Sequence, residues 1–160
     1  MPALLVLLFA TAAVSPQGAV ATADTAASQA GASLLRAGGN AADAAAAAAF
    51  ALAVVEPQSS GIGGGGFALV YLARDRQVRV LDFREVAPAA ASPQMYVQDG
   101  KAREDLASAG PLAVAVPGAV RGYVELLKRF GRRSLQDALA PAIDLAIHGF
   151  RANATLVRET

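Results

Sequence analysis

The feature that most constrains the fold is the fifteen-residue run AADAAAAAAFALAVV (41–55), preceded by Gly38-Gly39-Asn40 and followed by Glu56-Pro57. Alanine is the strongest helix former, so the run predicts a helix of about four turns. Asn40 is a good N-cap, and Asp43 at the third helical position sets a negative charge on the same orphan amides. Glu56 stops the helix because a residue before proline is driven out of the helical region. A helix apolar nearly all round has to be buried, and its small side chains let neighbours approach closely. A bilayer span takes ~20 apolar residues, and Asp43 also counts against that alternative.

The helical pattern begins upstream at Thr22. Ala27, Ala30, Gly31, Leu34 and Leu35 form one apolar stripe. Asp24 or Thr25 can cap its start, and Gly38 supplies the left-handed residue at its end. So short a connection between two helices predicts a helical hairpin.

Next comes SSGIGGGG (59–66), in which Gly61, Gly63 and Gly66 satisfy G-x-G-x-x-G literally. A dinucleotide site needs a strand before the glycines and a helix after them. Here the order is reversed and no Lys-Ser/Thr follows, so nucleotide binding is rejected. The glycines instead imply positive φ or close approach of another segment or ligand. Residues 67–73 and 78–83 read as two strands joined by a hairpin-length turn at 74–77. The second runs into Asp82-Phe83-Arg84-Glu85, which places Arg84 where a strand emerges into a loop, a common setting for binding residues.

Residues 92–116 read as irregular, with a turn at Asp99-Gly100. Pro117-Gly118 opens a third helix with Val120, Tyr123, Val124 and Leu127 on its apolar face, closed by Gly131. Ser134 and Asp137 form a capping-box pair for a fourth stretch, whose core face is Leu135, Ala138, Leu139, Ala142, Ile143 and Ala146. Pro141 is expected to split that stretch and begin a new helix. The order of helical hairpin, β-hairpin and further helices gives an α+β class rather than alternating βαβ units.

Composition removes several chemistries. Fourteen Lys and Arg against thirteen Asp and Glu leave a net charge of +1, with no basic stripe for nucleic acid. There is no Cys, which excludes a disulfide scaffold, a Cys-based zinc site and a thiol nucleophile. A single histidine, His148, excludes a multi-histidine metal site. Its place beside Gly149 suggests that it caps helix carbonyls. Forty alanines and 6% aromatic residues leave a core to be built from Ala, Val and Leu.

At the N-terminus, residues 1–14 carry no charged side chain, and 1–16 read as a secretory signal followed by small residues at Ala12, Ala13, Ala21 and Ala23. A buried strand or helix and an uncleaved anchor are the alternatives. The other end, ANATLVRET, reads as stopping in mid-element.

Five segments occur in a telling order: GlyGlyAsnAlaAlaAspAlaAla (38–45), GlyGlyGlyGlyPhe (63–67), AspPheArgGlu (82–85), ValProGlyAlaValArgGly (116–122) and ProAlaIleAspLeuAla (141–146). Together with GlyAlaValAlaThrAlaAsp (18–24), they make residues 17–151 resemble the N-terminal part of the large subunit of the γ-glutamyltransferase (γ-glutamyltranspeptidase) family. The resemblance implies residues 17–160 are the truncated N-terminal part, about the first third, of an N-terminal-nucleophile hydrolase, a four-layer αββα sandwich. Such a precursor cleaves itself to expose a threonine, whose own amino group can act as base. The γ-glutamyl group of a donor such as glutathione is held as an acyl-enzyme and passed to water or an amine.

The resemblance implies no metal or organic cofactor. It makes Arg84 the residue that grips the donor's α-carboxylate, a task suited to a planar guanidinium. Asp82 and Glu85 are candidates to orient it. No catalytic residue is assigned in this chain: Thr155 and Thr160 come too early to be the nucleophile, which belongs to a small subunit that would be the chain's own partner. Related acylases acting on glutaryl amides share these motifs, and a non-catalytic exported binding domain is a further alternative.

Overall fold

The structure, a computed structural model, describes residues 11–15 and 18–159. In chain order it comprises β1 (Thr11–Ser15), β2 (Gly18–Thr22), α1 (Thr25–Arg36), α2 (Ala41–Val55), β3 (Phe67–Leu72), β4 (Gln77–Asp82), β5 (Val97–Gln98), β6 (Lys101–Ala102), α3 (Glu104–Ser108), α4 (Ala119–Phe130), α5 (Leu135–His148) and α6 (Ala154–Glu159). The strands pair as three antiparallel ribbons: β1 with β2, β3 with β4, and β5 with β6. Most of the expected leader, 1–10 and 16, lies outside the described residues, while 11–15 pair with β2.

The helical hairpin forms as the sequence predicts. Of the two candidate caps for α1 it is Asp24 that acts, accepting the Ala26 N–H at 2.8 Å. The predicted stripe Ala27, Ala30, Gly31, Leu34 and Leu35 is buried, and Gly38 adopts φ +87° just past the helix end. The two helices approach until backbone meets backbone: a Cβ at Gly31 would stand 2.8 Å from the Ala44 carbonyl oxygen. Only small residues permit this spacing.

Asp43 is fully buried and pairs with no side-chain cation. Its carboxylate accepts main-chain N–H bonds from Asn40 (2.7 Å), Arg132 (2.9 and 3.1 Å) and Arg133 (2.9 Å). Asn40 caps the helix through Oδ1 and donates from Nδ2 to the Phe130 carbonyl at 2.6 Å. Together the two side chains fasten the start of α2 to the turn between α4 and α5. Gly131 closes α4 as expected, but with φ −77°. Its requirement is close approach, since a Cβ there would lie 2.6 Å from Asp43 Oδ1.

Three expectations about the helices need correction. Pro141 does not split its stretch: α5 is one helix from Leu135 to His148 with the proline inside. A proline forfeits one hydrogen bond and crowds the preceding turn. Here the helix is secured at one end by the Ser134–Asp137 capping box and at the other by Gly149 at φ +81°, while Ala138 and Ala142 are buried. The same Ser134 hydrogen bonds hold the Asp137 carboxyl below its ordinary range. The apolar faces are also narrower than the periodicity implied, because Val120, Leu135, Ile143 and Ala146 are exposed and Ala119, Gly122 and Leu126 are buried. Lastly, His148 caps no carbonyl: its Nδ1 pairs with Asp144 Oδ1 at 2.9 Å on an exposed surface, and the Gly149 N–H satisfies Leu145.

The β3–β4 hairpin lays one face on the helices. Leu81 joins Leu34, Ala46, Leu126 and Leu127 in the core, with Ala68 and Val70 packed against them. The other face is apolar and open: Phe67, Leu69 and Tyr71 are 58%, 73% and 63% exposed, beside Val78 and Val80. The stretch 92–116 holds more order than expected, namely the β5–β6 ribbon turned by Asp99 (φ +52°) and Gly100 (φ +73°), and α3.

Removing the Asp43 carboxylate would strand three interior N–H groups. Asp43→Ala is therefore expected to destabilise the fold by ~3 kcal/mol or more, with Asp43→Asn in between because it keeps one acceptor. Chemical denaturation followed by circular dichroism checks this order.

Candidate functional site

Three of the sequence segments singled out above converge at the end of β4. Beyond the hairpin proper, Phe83 and Gly66 exchange main-chain hydrogen bonds, at 3.0 Å from Phe83 N–H and 3.3 Å from Gly66 N–H. The Gly64 carbonyl accepts N–H bonds from Gly118 (3.0 Å) and Ala119 (2.9 Å), which ties the glycine run to the first turn of α4. A further antiparallel bridge joins Val86 to Val116. Residues 83–85 are thus held between the glycine run on one side and the α4 start on the other.

Gly65 and Gly118 are required by contact. A Cβ at Gly65 would fall 2.5 Å from the Phe83 carbonyl oxygen and 2.7 Å from the Glu85 nitrogen. One at Gly118 would fall 2.0 Å from the same oxygen. None of residues 61–66 has positive φ, so of the two readings left open for this run close approach is the one realised, at Gly65 and less tightly at Gly66, while a Cβ at Gly63 would meet nothing within 4 Å.

At the centre stands Arg84. Strand alternation turns Phe83 inward and Arg84 outward. The Arg84 N–H is held by Asp82 Oδ1 at 3.0 Å, and its guanidinium Nε lies 3.4 Å from Glu85 Oε2. The two side chains differ in environment: Arg84 is 58% exposed and Glu85 only 23%. Glu85 Oε2 is shut off from solvent and has no hydrogen-bond donor among the described residues beyond this long ion-pair contact. The expected trio Asp82, Arg84 and Glu85 is therefore assembled, with Asp82 holding the backbone and Glu85 facing the guanidinium.

Arg84 lines an open groove of about 650 Å³ between the end of β4 and α4, with Phe83, Val116, Arg121, Glu125 and Arg129 also on its walls. Arg129 is occupied by Glu125 at 3.0 Å. The groove joins a guanidinium reachable from solvent to an apolar floor, an arrangement suited to a small carboxylate-bearing ligand. A larger hollow of about 730 Å³ lies between β2 and α2, lined by Ala41, Ala45, Ala49 and Leu52 with Arg132 at its rim. Its walls are nearly all small and apolar, so it offers a packing surface rather than chemistry.

Sequence reasoning missed the ring of Phe83 and the small face of α4 beneath it. Phe83 meets Tyr123 edge to face at 5.8 Å, and Tyr123 meets Phe50 of α2 at 5.1 Å. Burial pushes the Tyr123 phenol upward, which keeps it a neutral packing ring. The spacing Gly118-x-x-x-Gly122 was the available signal, since it puts both glycines on one side of the helix. Thr155 lies within α6, and Thr160 lies outside the described residues.

Comparison with solved structures defines the class. The chain superposes on the Helicobacter pylori gamma-glutamyltranspeptidase with TM-score 0.86 at 39% identity, covering 92% of this chain and 42% of that one. For the enzyme from Pseudomonas nitroreducens complexed with L-DON the values are 0.84 and 41%, over 91% and 43%. The architecture is accordingly that of the N-terminal part of an N-terminal-nucleophile hydrolase.

Residues 27–160 match the family model described as gamma-glutamyltranspeptidase, and the chain belongs to that family. It is 45% identical over 146 residues to a glutathione hydrolase proenzyme of Bacillus subtilis (strain 168), covering 89% of this chain and 25% of that protein. It is also 46% identical to the acylase ACY 1 proenzyme of Pseudomonas sp. (strain V22), over 86% of this chain and 26% of that protein. The chain thus spans about a quarter of the length of these curated relatives, less than the third expected from sequence.

Gly118→Ala would drive a methyl group into the Phe83 carbonyl. Overpacking against backbone is expected to destabilise by ~2–3 kcal/mol, read as a lowered unfolding midpoint.

Proposed function

We propose that this chain is the donor-gripping part of the large subunit of a γ-glutamyltransferase, and that Arg84 clasps the α-carboxylate of the γ-glutamyl donor. The observation that carries the reading is the placement of Arg84. Its backbone is immobilised by Asp82 and the glycine run, while its guanidinium remains largely exposed at a groove and is faced by one partly buried carboxylate, Glu85. A guanidinium held in this way can offer two parallel N–H donors to a ligand carboxylate with little loss of freedom.

In the activity proposed, the donor is glutathione or a similar γ-glutamyl compound. Its γ-carbonyl is attacked by an N-terminal threonine exposed by self-cleavage on a small subunit, and the acyl group passes to water or an amine. This chain contributes binding and orientation and no reacting atom. The proenzyme names of the relatives support a self-cleaving precursor. The open outer face of β3–β4 supports a partner layer, because contiguous exposed apolar surface marks an interaction site. Export to the periplasm or cell exterior is part of the proposal and rests on the apolar leader at 1–16; among the described residues no helix is long and apolar enough to cross a membrane.

The similarity to the acylase, and to the Bacillus halodurans cephalosporin acylase with TM-score 0.72 at 36% identity over 82% of this chain and 24% of that one, favours a second reading with a glutaryl donor. A glutaryl group keeps the terminal carboxylate and lacks only the amino group beside it, so competition between glutathione and a glutaryl amide in a complete enzyme carrying this segment separates the two.

Two results are expected. Arg84→Lys in that complete enzyme should raise the KM for a γ-glutamyl anilide by about tenfold or more, since the charge stays but the fork is lost; an unchanged KM removes Arg84 from the donor site. The purified 160-residue chain should neither cleave itself nor hydrolyse the anilide, and detectable turnover would contradict the division of labour described.

A further inference from the structure

The aim of the Arg84 side chain depends on what holds the backbone that carries it. The residue before it, Phe83, is gripped at more points than any other in the site. Its carbonyl oxygen is where a Cβ on Gly65 or Gly118 would collide, at 2.5 and 2.0 Å. Its ring lies flat on the Cα of Gly122, where a Cβ would come within 2.2 Å of Cγ and 2.5 Å of both Cδ atoms. Tyr123 meets the ring edge to face at 5.8 Å, and Gly66 bounds its far end, 3.2 Å from Cε2 by the same measure. Phe83 and Arg84 share a peptide plane and point to opposite sides of the strand, so a displacement of the Phe83 backbone forced at its ring is transmitted to the Arg84 Cα–Cβ direction. The guanidinium sits at the end of a long side chain, where a small rotation at Cα becomes a displacement comparable with hydrogen-bond tolerance.

We propose that Phe83 and Gly122 form a ring-on-glycine seat that positions Arg84, and are thereby positioning residues for donor binding. The inference rests on the reading of Arg84 as the donor-carboxylate grip and adds a mechanism for its aim. Both residues also line the groove, so action through Arg84 is separated from direct donor contact by making the same changes in an Arg84→Lys background, where they are expected to leave KM unaltered.

The test uses a complete, self-cleaved γ-glutamyltransferase carrying this segment, with KM and kcat for a γ-glutamyl anilide measured for Gly122→Ala, Phe83→Leu and the pair. Each single change is expected to raise KM about tenfold while kcat stays within about twofold, as a misplaced binding group weakens capture without altering the nucleophile. The pair is expected to recover most of the loss, because leucine vacates the space that the added methyl takes up. A merely structural role would lower the fraction of active enzyme and hence kcat, with KM unmoved. Unaltered KM in the single variants, a fall in kcat alone, or losses that simply multiply in the pair would each overturn the proposal. Where Gly122→Ala fails to self-cleave, Phe83→Leu decides by the same KM criterion. Arg84→Lys in the same assay keeps the two ideas apart. If it leaves KM unchanged, the donor reading itself fails. If it raises KM while the ring and glycine variants do not, only the seat fails.

Discussion

The structure depends on the buried carboxylate of Asp43. A charge at zero exposure survives only where donors surround it, and here they are three main-chain N–H groups instead of a lysine or arginine side chain. Because two of those donors come from Arg132 and Arg133, the interaction spans about ninety positions of sequence and fixes the α4–α5 turn against the start of α2. The Asn40 amide adds a bond to the last carbonyl of α4. With its end so fixed, α4 presents Gly118 and Gly122 to Phe83, and Phe83 precedes Arg84. One carboxylate that does not line the groove thus sets the frame on which the groove is built.

Much of this was legible in sequence, because the signals were local. Asn40, Asp43 and Gly38 announced both ends of the hairpin turn, and the capping box of Ser134 and Asp137 was readable at its three-residue spacing. Alternation marked β3 and β4, and Asp99-Gly100 marked its turn. The motif resemblance singled out Arg84 for the proposed donor role, which no periodicity could have separated from a surface ion pair.

What escaped was tertiary. Pro141 reads as a helix start when only its own turn is considered, yet packing of Ala138 and Ala142 outweighs one missing hydrogen bond. Val120 and Ile143 obey the helical period but face outward, because the width of a buried stripe depends on how many neighbours cover it. Asp43 reads as a helix-start charge, and nothing local shows that its second task lies at Arg132 and Arg133. The seat beneath Phe83 is invisible for the same reason: a glycine signals that a side chain is unwelcome, and only the fold reveals what excludes it.

The closeness of α1 to α2 gives a different meaning to the alanines of these two helices. With Gly31 facing the Ala44 carbonyl at a distance where even one added carbon would sit at 2.8 Å, composition acts here as a ruler that sets interaxial separation. Drift at these sites is confined to exchanges among the smallest residues, while the outward surface of the same helices is free to vary. A census of natural variation along α2 would then trace a stripe of near-invariance whose width measures the seam between two backbones, independently of any ligand.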